Sequence, residues 1–304
     1  MSSQVTTAFV EQYKSNVMSL VQQKGSRLRG AVMVDSAVNG KKKFTEQVGT
    51  TNAQLRTSRH SDSPLVNTPH LRRSLTLDDY EWGDLIDDAD KVRLLIDPTS
   101  AYAQNAAWAM GRAMDDVILT ALHGTAYTGV SGGTSTSLGS GQKVSVDTQD
   151  GGDSGDAGLN TAKLRSARKI LLANEVEMDE ELYCSVNAQM LDNLLQTTEV
   201  GSYDYNSVKA LVRGEIDTWL GFKFIHTERL NTIISGGTDQ ACMCWAKSGL
   251  ELGIGSDIKS SIAPRADKSF STYVYYSMCL GATRLEEEKV VEIACDPTAG
   301  VTAS

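Results

Sequence analysis

The feature that most restricts this chain is an uneven split of charge and core-forming residues. Of its 304 residues, 1–75 carry eleven Lys/Arg against four Asp/Glu, a net of +7. The remainder carries eighteen against thirty-four, a net of −16, which gives −9 overall. The basic part is poor in core-forming residues, whereas the acidic part holds long helical periodicities and strand-like apolar runs. A basic arm that cannot bury itself, joined to an acidic body, suggests arms lying on the bodies of neighbouring copies. That is the logic of a self-assembling shell subunit rather than of an enzyme. Such a field steers association and does not by itself set the fold.

Several function classes recede on composition. An acidic overall balance argues against a dedicated nucleic-acid binder, which would show a basic patch on a folded element. No apolar run approaches the ~18–20 residues of a membrane span. The start, MSSQVTTAFV, lacks the basic segment and apolar run expected of a secretory signal. Five scattered cysteines (Cys184, Cys242, Cys244, Cys279, Cys295) are odd in number and read as reduced thiols in a cytosolic setting.

Along the chain, Phe9, Tyr13, Val17 and Leu20 share one face of an expected helix over about 6–24, and Gly25 suits its C-terminal stop. Residues 28–84 read as extended, with a tight-turn pair at Asn39-Gly40 and strand-like flanks around a polar tip. That describes a long two-stranded loop, marginal alone and in need of something to lie on. Asp97-Pro98 then opens a helix, Asp as N-cap and Pro at the first position. Its apolar stripe runs through Ala107, Met110/Gly111, Met114, Val117/Ile118 and Ala121/Leu122 to a stop at Gly124. About 26 residues make it roughly 39 Å long. Residues 124–158 hold ten Gly and six Ser, which predicts a mobile or irregular loop. A second helix is expected over about 160–174, with Leu164, Ala167, Ile170 and Leu171 on one face and Lys163, Arg165, Arg168 and Lys169 mostly off it. A strand at 182–186 precedes a short helix capped by Asn187. Further short strands are expected at 222–227, 241–247, 249–254, 270–276 and 290–295. Helices and strands mix without regular βαβ alternation, which indicates an α+β fold.

Few motifs carry chemistry. Gly129-Val130-Ser131-Gly132-Gly133 satisfies the nucleophile-elbow pattern, but that chemistry needs a strand before the serine and a helix directly after it. Here it sits in the Gly/Ser-rich stretch, where a chance match is the expectation. Gly139-Ser140-Gly141-Gln142-Lys143 lacks the Gly-Lys-Ser/Thr core of a phosphate loop. Cys242 and Cys244 would share a strand face, yet no second pair follows at metal-site spacing, so buried thiols beside Trp245 are expected. His60, His70, His123 and His226 are scattered. The acid pairs Asp78-Asp79, Asp87-Asp88 and Asp115-Asp116 point apart on either a strand or a helix, and read as surface carboxylates. The charges of most interest are Lys41-Lys42-Lys43 and Arg72-Arg73, as partners of acidic patches such as Glu286-Glu287-Glu288 or Asp84-Asp87-Asp88 on adjacent subunits. Each exposed pair is worth only ~0.2–1 kcal/mol, but a shell repeats it many times.

Taken in order, a set of segments resembles one family. They are Gly25-Ser26-Arg27-Leu28-Arg29-Gly30-Ala31-Val32, Asn39-Gly40-Lys41 through Phe44, and Arg72-Arg73-Ser74-Leu75. Asp79-Tyr80-Glu81-Trp82 through Asp87, Asp90-Lys91, Asp97-Pro98 and Gly111-Arg112-Ala113 follow, then Leu220-Gly221-Phe222-Lys223-Phe224 and Gly281-Ala282. Over about residues 5–296 the chain resembles the major capsid proteins of tailed double-stranded DNA bacteriophages, which have the Hong Kong 97 fold.

The resemblance implies an N-terminal arm (1–30), an extended E-loop (31–84), a peripheral domain (85–186 and 281–304, spine helix about 98–123) and an axial domain (187–280). It implies pentamers and hexamers tiling an icosahedral head in the virion, assembled in the bacterial cytoplasm. One subunit's E-loop would lie across its neighbour's peripheral domain. Expected partners are the chain itself, scaffolding and portal proteins and a decoration or cement protein, with packaged DNA touched only non-specifically and no membrane. The inter-subunit contact candidates are Arg27, Arg29, Lys41, Lys42, Lys43, Arg56, Arg59, Arg72, Arg73, Glu286, Glu287 and Glu288. No catalytic residue, metal ligand or cofactor is expected. The alternatives are a hydrolase using Ser131, or a non-viral shell-forming protein of the same fold.

Overall fold

The computed structural model describes residues 22–36, 38–60, 62–87, 99–149, 155–196, 218–230 and 240–296. The helix expected over 6–24 and the Asp97-Pro98 start therefore lie largely or wholly outside the described residues. Those that are described form three sheets and three α-helices.

The first sheet pairs β1 (Met33–Asp35), β12 (Leu250–Pro264), β13 (Thr272–Arg284) and β4 (Asp78–Ile86) in that order. β12 and β13 form a long antiparallel hairpin, much longer than the two short strands expected there, with register shifts between Ile254 and Lys259. Across it lies α1 (Thr99–His123), which packs on β13, β4 and β12. Met110, Met114, Ile118, Leu119 and Leu122 of α1 meet Leu28, Val32, Trp245, Leu252, Met278 and Leu280 in one core. Each such side chain, fully buried, contributes about 1.5–3 kcal/mol.

The second sheet runs β7 (Lys143–Val144), β14 (Val290–Cys295), β11 (Gln240–Ala246), β8 (Leu182–Val186), β10 (Phe222–His226) and β9 (Thr218–Trp219). α2 (Thr161–Ala173) and α3 (Ala188–Gln196) contribute to its core. Strand periodicity explains how β11 serves two cores. Met243 and Trp245 join the α1 core, while Cys242 and Cys244 join the α2/α3 core. Asn187 caps α3 as read from sequence, accepting from the Met190 amide at 2.8 Å, and Asn160 caps α2 in the same way, accepting from the Lys163 amide at 2.8 Å. β9 and β10 are joined by Leu220 (φ 49°) and Gly221 (φ 83°), a two-residue turn with both central residues left-handed.

The third sheet, β2 (Lys42–Val48), β3 (His70–Thr76), β5 (Ala126–Thr128) and β6 (Thr134–Thr136), carries the projecting hairpin. β2 and β3 pair from Lys42↔Thr76 to Val48↔His70. Gly40 turns the chain at φ 95°, but β1 and β2 do not form a hairpin, because β1 pairs with β12.

Two expectations are corrected here. The Gly/Ser-rich stretch is partly regular: β5 and β6 make a tight hairpin whose turn glycines take φ 94° (Gly129) and 65° (Gly132). The glycines there supply turn geometry, and Gly132 also lies so close to Ser74 that a Cβ would sit 2.6 Å from its side chain. Lys163 is not off the apolar face. It is fully buried, its ammonium bonded to the carbonyls of Ala157 (2.5 Å) and Ala294 (2.8 Å).

Candidate subunit interface

Two anchors built into this chain fix its N-terminal segment and its projecting hairpin to the body. The first straps residues 22–31 across α1. Gly111 leaves room for the crossing, since a Cβ there would stand 2.5–2.6 Å from the backbone of Gly25 and Ser26. Gly25 itself turns at φ 77°. One helical turn further on, the fully buried Asp115 accepts from the Ser26 hydroxyl (2.6 Å), the Arg27 amide (3.0 Å), the Leu28 amide (3.2 Å) and Gln23. Arg112 bonds Gln22 and the Gln23 carbonyl, and the Lys24 ammonium lies 5.5 Å from the Trp108 ring centre. Trp245 closes the strap by donating to the Ala31 carbonyl at 2.9 Å. Asp115 is therefore no surface acid: with Asp116 turned about 100° away to grip Arg229, the pair divides between two jobs.

The second anchor fixes the base of the hairpin. Arg284 is fully buried and donates to the carbonyls of Leu122 (2.8 Å), Gly124 (2.5 Å) and Ala121 (3.2 Å), satisfying the orphan groups and the negative pole at the end of α1. Next to it, Arg73 of β3 pairs with Glu287 and donates to the Leu285 carbonyl at 2.8 Å. Thr45 bonds Glu251 at 2.8 Å, and Gln47 the Leu285 carbonyl at 3.0 Å.

These contacts decide what the sequence-selected charges do. Lys43 joins Asp35 and Glu251, which together outweigh its burial and hold its ammonium above the usual range. Arg29 pairs with Asp257 at 2.9 Å, and that bond with the Ile258 amide holds the Asp257 carboxyl low. Arg27 donates to the His226 carbonyl at 2.7 Å. Arg72 pairs with Glu46 and lies 5.3 Å from the Phe44 ring centre. Glu286 takes Lys289 at 3.3 Å, while Glu288 is exposed. Much of the charge split is thus satisfied inside one chain, basic segment on acidic body. Lys41, Lys42, Arg56 and Arg59 stay on the surface.

Beyond β2 and β3 the hairpin buries nothing. Every described residue from 50 to 71 is exposed, and Leu55 and Leu65 are 89% and 90% so. Leu55 and Leu65 are thus two large apolar side chains held in water on an extended loop.

The chemistry-bearing motifs are placed elsewhere. Ser131 is exposed in the β5–β6 turn with no helix after it, which is not a nucleophile elbow. Cys242 and Cys244 are buried and free, and burial pushes the Cys242 thiol well up. Among the described residues no cluster of three or more His, Cys, Asp or Glu could hold a metal, and no helix is long and apolar enough to cross a membrane.

A spine helix across a long β-hairpin, a side domain with a mixed sheet, and a projecting two-stranded loop together make the Hong Kong 97-type capsid fold. The chain belongs to the phage capsid protein family, which it matches over residues 5–297. It is similar in structure to the capsid of the cyanophage P-SCSP1u, with a TM-score of 0.73 at 16% identity over 97% of this chain and 95% of that one. The capsid of Ralstonia phage GP4 gives 0.72 at 9% identity over 95% of each chain. The head of Helicobacter pylori bacteriophage KHP40 gives 0.71 at 10% identity over 95% and 96%. No curated protein sequence matches the chain. Its role is structural, in the capsid of a virion.

Proposed function

We propose that this chain is the major capsid protein of a tailed double-stranded DNA phage, assembling as pentamers and hexamers into an icosahedral head. The observation that carries this reading is the hairpin: a rigidly anchored base and a tip whose leucines and arginines are all exposed on their own chain. In this reading residues 1–30 are the arm and 31–84 the E-loop. α1 with the β12–β13 hairpin forms the peripheral unit, and the mixed six-stranded sheet with α2 and α3 the axial unit. That division differs from a cut at 187 and 281, because β8 and β14 share a sheet with β10 and β11. Lys41, Lys42, Arg56 and Arg59 are the contact residues facing neighbours, with Glu288 among their acidic counterparts. Lys43, Arg72, Arg73 and Glu287 set the aim of the hairpin. Scaffolding, portal and decoration proteins act as partners, assembly takes place in the host cytoplasm, and the chain catalyses no reaction.

Replacing 50–68 by a short Asn-Gly turn tests this, with light scattering for mass and circular dichroism for folding. The full chain gives particles of megadalton mass, and the shortened one a folded subunit that stays unassembled. Equal particle formation by both chains would overturn the reading.

A further inference from the structure

The middle of the six-stranded sheet, where β8 meets β11, holds a pair of facing thiols. Cys184 of β8 stands directly opposite Cys244 of β11, and both are free and fully buried in the core shared with α2 and α3. Their neighbours fix the parity of the ladder. The Lys247 amide donates to the Glu181 carbonyl at 3.1 Å, which makes Glu181/Lys247 a hydrogen-bonded pair. Such pairs alternate with non-hydrogen-bonded ones. Counting inward through Leu182/Ala246 and Tyr183/Trp245 makes Cys184/Cys244 a non-hydrogen-bonded pair. On the opposite face the Tyr183 and Trp245 rings stack at 6.0 Å, in keeping with the same register.

Non-hydrogen-bonded partners bring their Cα atoms to about 4.5 Å, with their side chains at closest approach. A disulfide spans Cα atoms ~4.4–6.8 Å apart, so this pair falls within its reach. The other buried thiols do not compete. Cys242 lies opposite Ile293 and Cys295 opposite Gln240, so Cys184/Cys242 and Cys242/Cys295 are diagonal pairs. Diagonal neighbours stand ~7–8 Å apart, and a bridge fails beyond ~7 Å. Cys242 is turned instead to the Met190 sulfur of α3. Cys279 belongs to the sheet under α1.

We propose that Cys184 and Cys244 are a redox pair, which a low-molecular-weight disulfide such as oxidised glutathione closes into a bond joining β8 to β11. One cysteine gives up its proton, and its thiolate attacks the small disulfide and expels one small thiolate, leaving a mixed disulfide. The second cysteine, deprotonated in turn, displaces the second small thiolate and forms the Cys184–Cys244 bond. The two protons pass to the released thiolates. Two protein thiols are thus oxidised, and one small disulfide is reduced to two thiols. Because both thiols are buried, exchange proceeds while the sheet forms or when β8 and β11 part, and the closed sheet keeps the reduced pair inert. Disulfides persist in oxidising surroundings such as virion surfaces. There the bond holds the two halves of the sheet together and closes a loop containing α3, β9 and β10.

The test is to unfold the full chain in urea and refold it in glutathione buffers of rising oxidised fraction. Free thiols are then alkylated and mapped by mass spectrometry. A second sample is produced in bacteria whose cytosol oxidises thiols, and it decides the matter if refolding yields no folded chain. In oxidising buffer three of the five cysteines should remain open to alkylation in the unfolded chain, with residues 184 and 244 joined. Dithiothreitol should return all five. Cys184→Ala and Cys244→Ala should each abolish the link, and Cys242→Ala should retain it. The oxidised chain should unfold at a higher urea concentration than the same chain with reductant. Five free thiols in both samples, glutathione adducts without a link, or a link between any other pair would overturn the proposal.

Discussion

Replacing Asp115 by alanine should release the N-terminal strap from the spine helix, and the size of the effect follows from its partners. The carboxylate accepts two backbone amides, Arg27 and Leu28, besides the Ser26 hydroxyl and Gln23. Leu28 is wholly buried, so its amide loses its partner with no water to replace it. An unsatisfied buried donor costs about 1–3 kcal/mol. Arg27 is exposed, so water recovers part of its loss. Removing the carboxylate also removes its own desolvation, which offsets some of the penalty. Together these terms place Asp115→Ala at about 3 kcal/mol of destabilisation. Asp115→Asn keeps one acceptor oxygen but turns an amide towards donors, and should cost about half as much. Gly111→Ala pushes the Gly25–Ser26 backbone off the same helix and should cost about 1–3 kcal/mol. Because both variants free one strap, the double variant should be less damaging than the sum. Urea unfolding of the unassembled subunit measures the energies, and hydrogen exchange at the Arg27 and Leu28 amides reports the strap directly. Asp115→Ala with a loss below about 0.5 kcal/mol, or with both amides still protected, would refute the reasoning.

Other expectations follow from the same contacts. Arg73→Ala leaves the half-buried Glu287 with only the more distant Arg284, at 4.0 Å, and should cost about 1–3 kcal/mol in urea unfolding, whereas Arg73→Met with Glu287→Gln should cost less. Arg284→Lys keeps the charge but not the fork that reaches several carbonyls, and should lower the unfolding free energy by about 1–3 kcal/mol. Ser131→Ala should leave particle yield unchanged, while Gly132→Ala should reduce it through positive φ and the close approach to Ser74. The Glu181 carboxyl is held down to about 2 by Lys223, then Lys247 and Tyr183. Its pKa is depressed on folding, so its contribution is present above the ordinary value of 4.5 and fades as pH falls from there to about 2. Lys223→Ala should move the NMR titration of Glu181 back towards 4.5.

Sequence reading reached furthest where local pattern decides structure. The apolar stripe of α1, the asparagine cap of α3, and the shared strand face of Cys242 and Cys244 in β11 were all legible, because each depends on neighbours within a few residues. Two misses had a local signal that went unread. Asp115 lies four residues after Gly111 and three before Ile118, inside the apolar stripe and not beside it. Lys163 likewise sits four residues before Ala167 on the buried face of α2. A charge within an apolar stripe signals a buried partner. Arg284 had no local signal, since the carbonyl of Gly124 lies 160 positions upstream. The Gly/Ser-rich stretch misled for a different reason: glycine marks turns as well as flexible chain, and β5 and β6 are too short to announce themselves. The contact charges were found by type, but which are spent within the chain depended on the register of β2, β3 and β12.

Cryo-electron microscopy of the assembled protein tests the central claim most directly. The account predicts closed shells of pentamers and hexamers, with residues 50–68 of each copy lying on the spine-helix side of its neighbour. A protein that remains a monodisperse monomer or dimer under all assembly conditions, scaffold included, would contradict it.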